Sequence, residues 1–491
     1  MRIDVRGLGR WSRGMLAVVV AMAPATVGRA GDVAAPVPAP AGPTAEEYRA
    51  RRAGLMGEVR DAEAGANALR AAIALADGGE AGAPPLLIVL VGTGEPGDDA
   101  KFHQDNDFHY LTGVDVAFAA AILRPDTGEE VLYLPPRDPR LERYNGPTLA
   151  PGPGASAASG FARVASSAEF LADLFRALAD PGAGRSARGA TAYLIDAEPK
   201  ATDAGRAAWL ARLVAAGAPG AHVKELAPLV HERRKAKSPA EVALLRRAIA
   251  ATGDAQAAVA RLARPGSTEN RLEGAILDAF LAGGASRAGF PSIVGSGPNS
   301  TVLHYGRNDR AIGPGELVVV DIGAEVDGYT ADITRTWPVD GRFTPRQREV
   351  YQLVLDAQAG AARAVKPGES TIGALNRGVR DFFRASPLRA KDEEGVEHTM
   401  DHFFLHGLGH HLGLDVHDVG DASKPLHPGQ VFTIEPGLYL PAEGFGVRIE
   451  DDYLVTPAGV EKLSAAIPST PDAIEQILAD RPAPPPARPA P

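Results

Sequence analysis

ELVVVDIGAEVDGYTADITRTWP, Glu316 to Pro338, decides the fold. Leu317 to Ile322 is a short apolar run rich in β-branched residues, the composition of a buried strand. Asp327-Gly328 is a hairpin turn signal, and Tyr329 to Trp337 alternates again. Two carboxylates break the apolar pattern, Asp321 on the first strand and Asp332 on the second, eleven residues apart. In an antiparallel hairpin closed by a two-residue turn such as Asp327-Gly328, residues at odd separation stand opposite or diagonal on one face. Both acids are therefore expected side by side on an apolar sheet, where like charges are costly unless a proton or a cation lies between them.

The surrounding chain repeats this arrangement. Ser238-Pro239-Ala240-Glu241 is a helix start with Ser as N-cap, Pro at N1 and Glu at N3, and Thr344-Pro345-Arg346-Gln347 uses the same device about a hundred residues later. Each helix stops at Pro-Gly (265–266, 367–368), and Ser-Thr (267–268, 370–371) opens the next. Pro314-Gly315 leads into ELVVVDIG, and Pro428-Gly429 leads into QVFTIEPG. Asp321 lies six residues after Gly315, and Glu435 lies six after Gly429. Each second strand carries a further acid, Asp332 in one and Glu450 in the other. The pattern is an internal duplication of helix, helix and hairpin, and two hairpins packed face to face would gather four carboxylates around one point.

Towards the N-terminus the chain has a different character. Pro85 to Gly92 is a buried-strand run, and further strands are expected at Phe118 to Leu123, Glu130 to Leu134 and Thr191 to Ile195. Helices are expected over Thr44 to Ala76, Ser167 to Ala179 and Ala201 to Ala216, which gives an α/β unit. Residues 1–30, with Arg2, Arg6, Arg10 and Arg13 before a short apolar run, read as a signal peptide ending at Ala30. Residues 31–44 read as an Ala/Pro linker, 45–232 as the N-terminal domain, 233–466 as a second domain and 467–491 as a Pro-rich tail. The expected location is periplasmic or secreted, with no stable membrane anchor. The formal charge of -10 argues against nucleic-acid binding. With no cysteine, disulfides and thiolate metal sites are excluded, so any metal is held by oxygen and imidazole.

Imidazole is abundant in one place. Seven of the twelve histidines fall between His398 and His427, centred on HFFLHGLGHHLGLDVHD, His402 to Asp418. Glycines 407, 409 and 413 make a regular helix there unexpected and let backbone approach a site closely. One histidine added to four carboxylates makes a five-ligand O/N set suited to a pair of divalent ions such as Mn, Co or Zn.

Asp321 and Asp332 in DIGAEVDGYTADITRTWP, His410 in HGLGHHLGLDVHD, Glu435 in TIEPGLY and Glu450 in GVRIEDD resemble the five dinuclear-metal ligands of the pita-bread metallopeptidases. Within that superfamily the chain is most similar to the Xaa-Pro aminopeptidases (aminopeptidase P), with prolidase next. FHQDNDFHYLTG (Phe102 to Gly113) and RDPRLERYNGPTLAPGPGA (Arg137 to Ala155) resemble segments of the aminopeptidase P N-terminal domain. The resemblance implies an α/β N-terminal domain, an α+β pita-bread catalytic domain with pseudo-two-fold duplication, and two divalent ions per subunit, Mn first. It gives His410 and Glu435 to one ion, Asp321 to the other, and Asp332 and Glu450 as bridges. A shared hydroxide would attack the scissile carbonyl, with Glu435 as general base. His304, His406 and His417 are implied around the substrate as catalytic donors, and Arg448 as an anchor of the acid network. Implied partners are peptides with proline second and further copies of the chain, as a dimer or tetramer. The chain departs from the family at Tyr144, where tryptophan is usual. His411 is expected to support or pack beside His410. His398, His402 and His427 are expected at the surface or in structural roles, and His103 and His109 within the N-terminal domain. Prolidase shares the ligands and stays open as an alternative, and a non-catalytic peptide-binding protein is the remote one.

Overall fold

A computed structural model of the chain describes residues 42–76, 85–94, 101–179, 190–195, 210, 212, 214 and 221–481. The signal peptide, most of the linker, most of the helix expected at 201–216 and the proline-rich stretch 482–491 lie outside the described residues. Among the described residues, no helix is long and apolar enough to cross a membrane. Backbone contacts divide the chain into two compact units, with the division after Leu226.

The N-terminal unit is built on a mixed six-stranded sheet. Its strands run in the order Arg163–Ser166, Glu129–Leu134, Ala120–Arg124, Leu86–Val91, Thr191–Leu194, His222–Glu225. LLIVLV at 86–91 is central and pairs antiparallel with Ala120–Arg124 and parallel with Thr191–Leu194. A central strand covered on both faces has no use for alternation, which is why this run is continuously apolar. Leu87, Val89, Ile122, Val131 and Tyr133 pack against Phe170, Leu174 and Leu178 of the helix Phe170–Ala179.

The second unit carries the duplication. Helix Pro239–Leu262 begins at a capping box made by Ser238 and Glu241, and helix Pro345–Ala364 at one made by Thr344 and Gln347. Helices Glu269–Ala282 and Ile372–Ala385 follow each of them. The first hairpin pairs strands Leu317–Ile322 and Ile333–Pro338, and the second pairs Val431–Ile434 with Asp451–Thr456. Asp327 and Gly328 turn the first hairpin with positive φ at both, 53° and 81°, as its tight turn requires. The two halves use one internal device. The Gln256 side-chain amide donates to the carbonyls of Val320 and Ile333 (3.1 Å each), and the Gln358 amide donates to those of Ile434 and Ile449 (3.0 and 3.2 Å). Each glutamine ties its helix to both strands of its own hairpin.

Two sequence boundaries are corrected. Helix Ala227–Lys235 belongs with the second unit rather than the first. The tail does not begin at 467: Thr470 caps a helix over Pro471–Ala479 whose Ile474 and Leu478 are buried, because its apolar positions four apart share one face.

Candidate metal centre

The register of the first hairpin places its acids as expected. Asp321 pairs with Thr334, and Asp332 lies two residues before Thr334, so all three side chains share a face. In the second hairpin Ile434 pairs with Asp451 and Gly437 with Arg448, so Glu435 stands opposite Glu450. The duplication is therefore offset. Thr334, not Asp332, occupies the position equivalent to Glu450, and Asp332 is equivalent to Arg448. The second strands of the two hairpins meet there: the Glu450 N–H donates to the Thr334 carbonyl (3.1 Å), and the Thr334 hydroxyl donates to Glu450 Oε2 (2.7 Å).

The histidine-rich loop is laid along strand Val431–Ile434. Thr433 N–H donates to the His410 carbonyl (2.9 Å) and Glu435 N–H to that of Leu408 (2.8 Å). A Cβ at Gly409 would fall 2.0 Å from the Thr433 carbonyl oxygen, so only glycine permits this approach. His410 Nδ1 lies 3.0 Å from the His411 carbonyl. A carbonyl only accepts, so Nδ1 carries the hydrogen and Nε2 presents its lone pair. That nitrogen lies 3.3 Å from Asp332 Oδ2 and 3.5 Å from Glu435 Oε1. Ligand atoms of Asp332, His410 and Glu450 all lie within 4.8 Å of one another.

Asp321, Asp332 and Glu450 are all buried, and each has one carboxylate oxygen with no hydrogen-bond partner: Asp321 Oδ1, Asp332 Oδ1 and Glu450 Oε1. Asp452 Oδ1 is a fourth. Burial, reinforced by Asp321 and Glu435, pushes the Asp332 carboxyl well above its usual range; burial with Asp332 and Glu435 does the same to Glu450. Burial also raises Glu435, to about 7, against the opposing pull of His410 and Arg448. Buried, unpartnered carboxylate oxygens facing an imidazole lone pair are a poor arrangement for a folded core and a good one for divalent cations.

The remaining expected residues surround this group. Arg448 is buried and donates to Asp321 Oδ2 (2.8 Å), Thr334 Oγ1 (3.2 Å) and the Tyr439 hydroxyl (2.8 Å). His406 Nδ1 donates to the Gly407 carbonyl (2.7 Å), which leaves Nε2 to accept from the Tyr439 hydroxyl (2.8 Å). Burial and the Arg448 charge lower His406 to about 4, so it is neutral with both nitrogens engaged. His417 is exposed, its ring centroid 4.2 Å from that of His410, and desolvation with His410 and His304 nearby lowers its pKa. His304 is exposed on a turn organised by Glu269, which accepts from Ser296, Asn299, Tyr305 and the Arg310 N–H. His411 is buried, while His427 is exposed and Tyr144 is 77% exposed. In the other unit, His109 is buried with Nδ1 2.8 Å from Asp115.

Residues 243–457 match metallopeptidase family M24, and residues 94–183 match the aminopeptidase P N-terminal domain. Xaa-Pro aminopeptidase of Escherichia coli (strain K12) is 36% identical over 397 residues, covering 77% of this chain and 89% of that protein. The chain belongs to metallopeptidase family M24, on its aminopeptidase P branch. Human Xaa-Pro aminopeptidase 3 is 32% identical over 410 residues, covering 77% of this chain and 76% of its own. Zinc-substituted E. coli aminopeptidase P in complex with product superposes with a TM-score of 0.74 at 29% identity, covering 89% of this chain and 99% of that one. The chain is thus a metallopeptidase-family enzyme that joins an α/β N-terminal domain of aminopeptidase P type to a pita-bread catalytic domain.

Thr334, Tyr439 and Asp452 were not singled out from the sequence. Asp452 was readable: it is two residues beyond Glu450 on the same strand, hence on the same face. Tyr439 gave no such sign, since one tyrosine in an apolar strand looks like core.

Proposed function

We propose that this chain is a dinuclear metalloaminopeptidase that removes the first residue from peptides whose second residue is proline. Asp321, Asp332, His410, Glu435 and Glu450 would hold two divalent ions, Mn first. The observation carrying this reading is the set of buried, unpartnered oxygens of Asp321, Asp332 and Glu450 around an imidazole tautomer with its lone pair inward. When bound, such ions supply Lewis acidity and lower the pKa of a shared water to near neutrality.

The chain's own residues then divide the work. Glu435 takes the proton of the attacking water, being the acid of the group with its carboxylate between His410 and His406. His417 and His304, both exposed beside the acids, donate to the developing oxyanion and to the leaving proline nitrogen. Arg448 donates to Asp321 and holds the Tyr439 hydroxyl, which in turn fixes the His406 ring. Export through residues 1–30 and self-association belong to the same proposal. The first is supported by the arginine-rich start, the second by the resemblance to the aminopeptidase P family; a mature N-terminus near Gly31 by mass spectrometry would support export, and an intact Met1 in exported material would contradict it.

The dinuclear reading is tested by equilibrium dialysis of the metal-stripped chain against Mn. Uptake of about two ions per chain is expected. No uptake under saturating Mn would refute the centre.

A further inference from the structure

Outside this centre, two of the histidines expected at the surface, His398 and His402, form a group with Asp392. Strands Arg389–Lys391 and Glu397–Thr399 make a short hairpin in which Ala390 pairs with His398. Asp392 lies two residues beyond Ala390, so it stands diagonal to His398 on one face, the relation that Asp321 and Asp332 have in the larger hairpin. The Asp392 carboxylate is held at both oxygens: Oδ1 accepts from the Val396 N–H (2.8 Å), and Oδ2 lies 2.7 Å from His398 Nε2. The short helical turn Met400–Phe403 then brings His402 over His398, with the two rings parallel to within 5° and their centroids 3.9 Å apart. Buried Phe403 packs edge-on against both rings, at 6.2 Å and 5.0 Å, and so restricts their orientation.

We propose that Asp392, His398 and His402 form a second, peripheral metal site for a borderline divalent ion of the Zn class. One ligand atom from each residue lies within 4.8 Å of the others. Around a tetrahedral Zn ion, with ligand bonds of about 2.0–2.2 Å, donor atoms stand roughly 3.3 Å apart. The Asp392–His398 edge needs to widen by about half an ångström to reach that separation, and the His402 edge to close, which an exposed side chain does by rotating about its own bonds. The ion takes the place of the hydrogen between His398 and Asp392. Two imidazoles and one carboxylate select Zn, Co or Ni over Ca and Mg, and the outward side of His402 leaves the remaining position to water. Asp392 is already held below the usual carboxylate range by its hydrogen bond to His398, so it is anionic at neutral pH as a ligand must be.

This site stands apart from the proposed catalytic centre, and its test separates the two. The full-length, metal-stripped chain is dialysed against Zn and its metal content counted, alongside His402→Ala and Asp392→Asn, with circular dichroism to check the fold of each. The wild-type chain should bind about one equivalent more than either variant. The same difference should persist when all three carry Asp332→Ala in addition. Peptidase activity of Mn-loaded His402→Ala should equal that of the parent. Equal Zn content in the parent and the folded variants would overturn the proposal, whatever the catalytic centre binds.

Discussion

Asp332 illustrates what a buried acid does in this chain. It is 4% exposed, has an unpartnered oxygen, and faces Asp321, Glu435 and Asp452. Replacing it removes a like charge from the metal-free protein and a ligand from the loaded one. Asp332→Ala should therefore lose detectable peptidase activity while its metal-free melting temperature stays at or above that of the parent; an active variant, or one that fails to fold, would contradict the role. Tyr439 acts through others, accepting from Arg448 and donating to His406. Tyr439→Phe keeps the ring and deletes the hydroxyl, so kcat should fall about 10–100-fold with the metal content unchanged. Arg335 is a structural counterpart. Fully buried, it donates to Asp451 Oδ1 (2.7 Å) and to the carbonyls of Thr334, Glu450, Ile467 and Pro468, locking the second strands of the two hairpins together. Arg335→Ala leaves Asp451 partly uncompensated in the core and should cost about 3–5 kcal/mol in denaturant unfolding.

Among the elements, local signals in the chain were enough for some and not for others. The helix starts at Ser238 and Thr344 were legible because capping boxes are written in adjacent residues. The apolar run at Leu317–Ile322 was legible because burial on both faces leaves no alternation. The shared face of Asp321 and Asp332 followed from parity about the two-residue turn at Asp327-Gly328. The two-residue offset between the hairpins was not legible, since it depends on which residues pair across strands far apart in sequence. The final helix was hidden by a proline at its first turn, within a segment already rich in proline. The loop carrying His417 depends on a further long-range element: Asp418, buried, receives Lys237 Nζ (2.8 Å) and Arg234 Nη2 (2.6 Å). Burial works to raise Asp418, but the two cations together hold it below the usual carboxylate value. Its folded pKa being depressed, the group contributes stability fully present above the unfolded value near 4 and lost as pH falls through the folded value. Asp418→Asn should therefore destabilise the chain at neutral pH and change stability less below about pH 3, as urea titrations at both pH values would read.

For the whole molecule, the acids of the centre have the opposite linkage. Asp332, Glu450 and Asp452 are raised by burial in the metal-free protein, so their contribution is present below the unfolded carboxylate pKa and is lost as pH rises through the folded values. Divalent ions offset that repulsion and bind only the folded state. The difference in melting temperature between Mn-loaded and EDTA-stripped protein should consequently widen from about pH 5 to pH 8. Calorimetry giving a pH-independent gap would remove these carboxylates from the metal centre.

The most direct test of the enzyme itself is cleavage of an Arg-Pro-Pro-type peptide by the Mn-loaded chain, followed by mass spectrometry, with a Gly-Pro dipeptide run beside it. Release of the first arginine, leaving the peptide that begins with proline, is the predicted result. An intact peptide with metal bound, or cleavage of the dipeptide alone, would contradict an Xaa-Pro aminopeptidase.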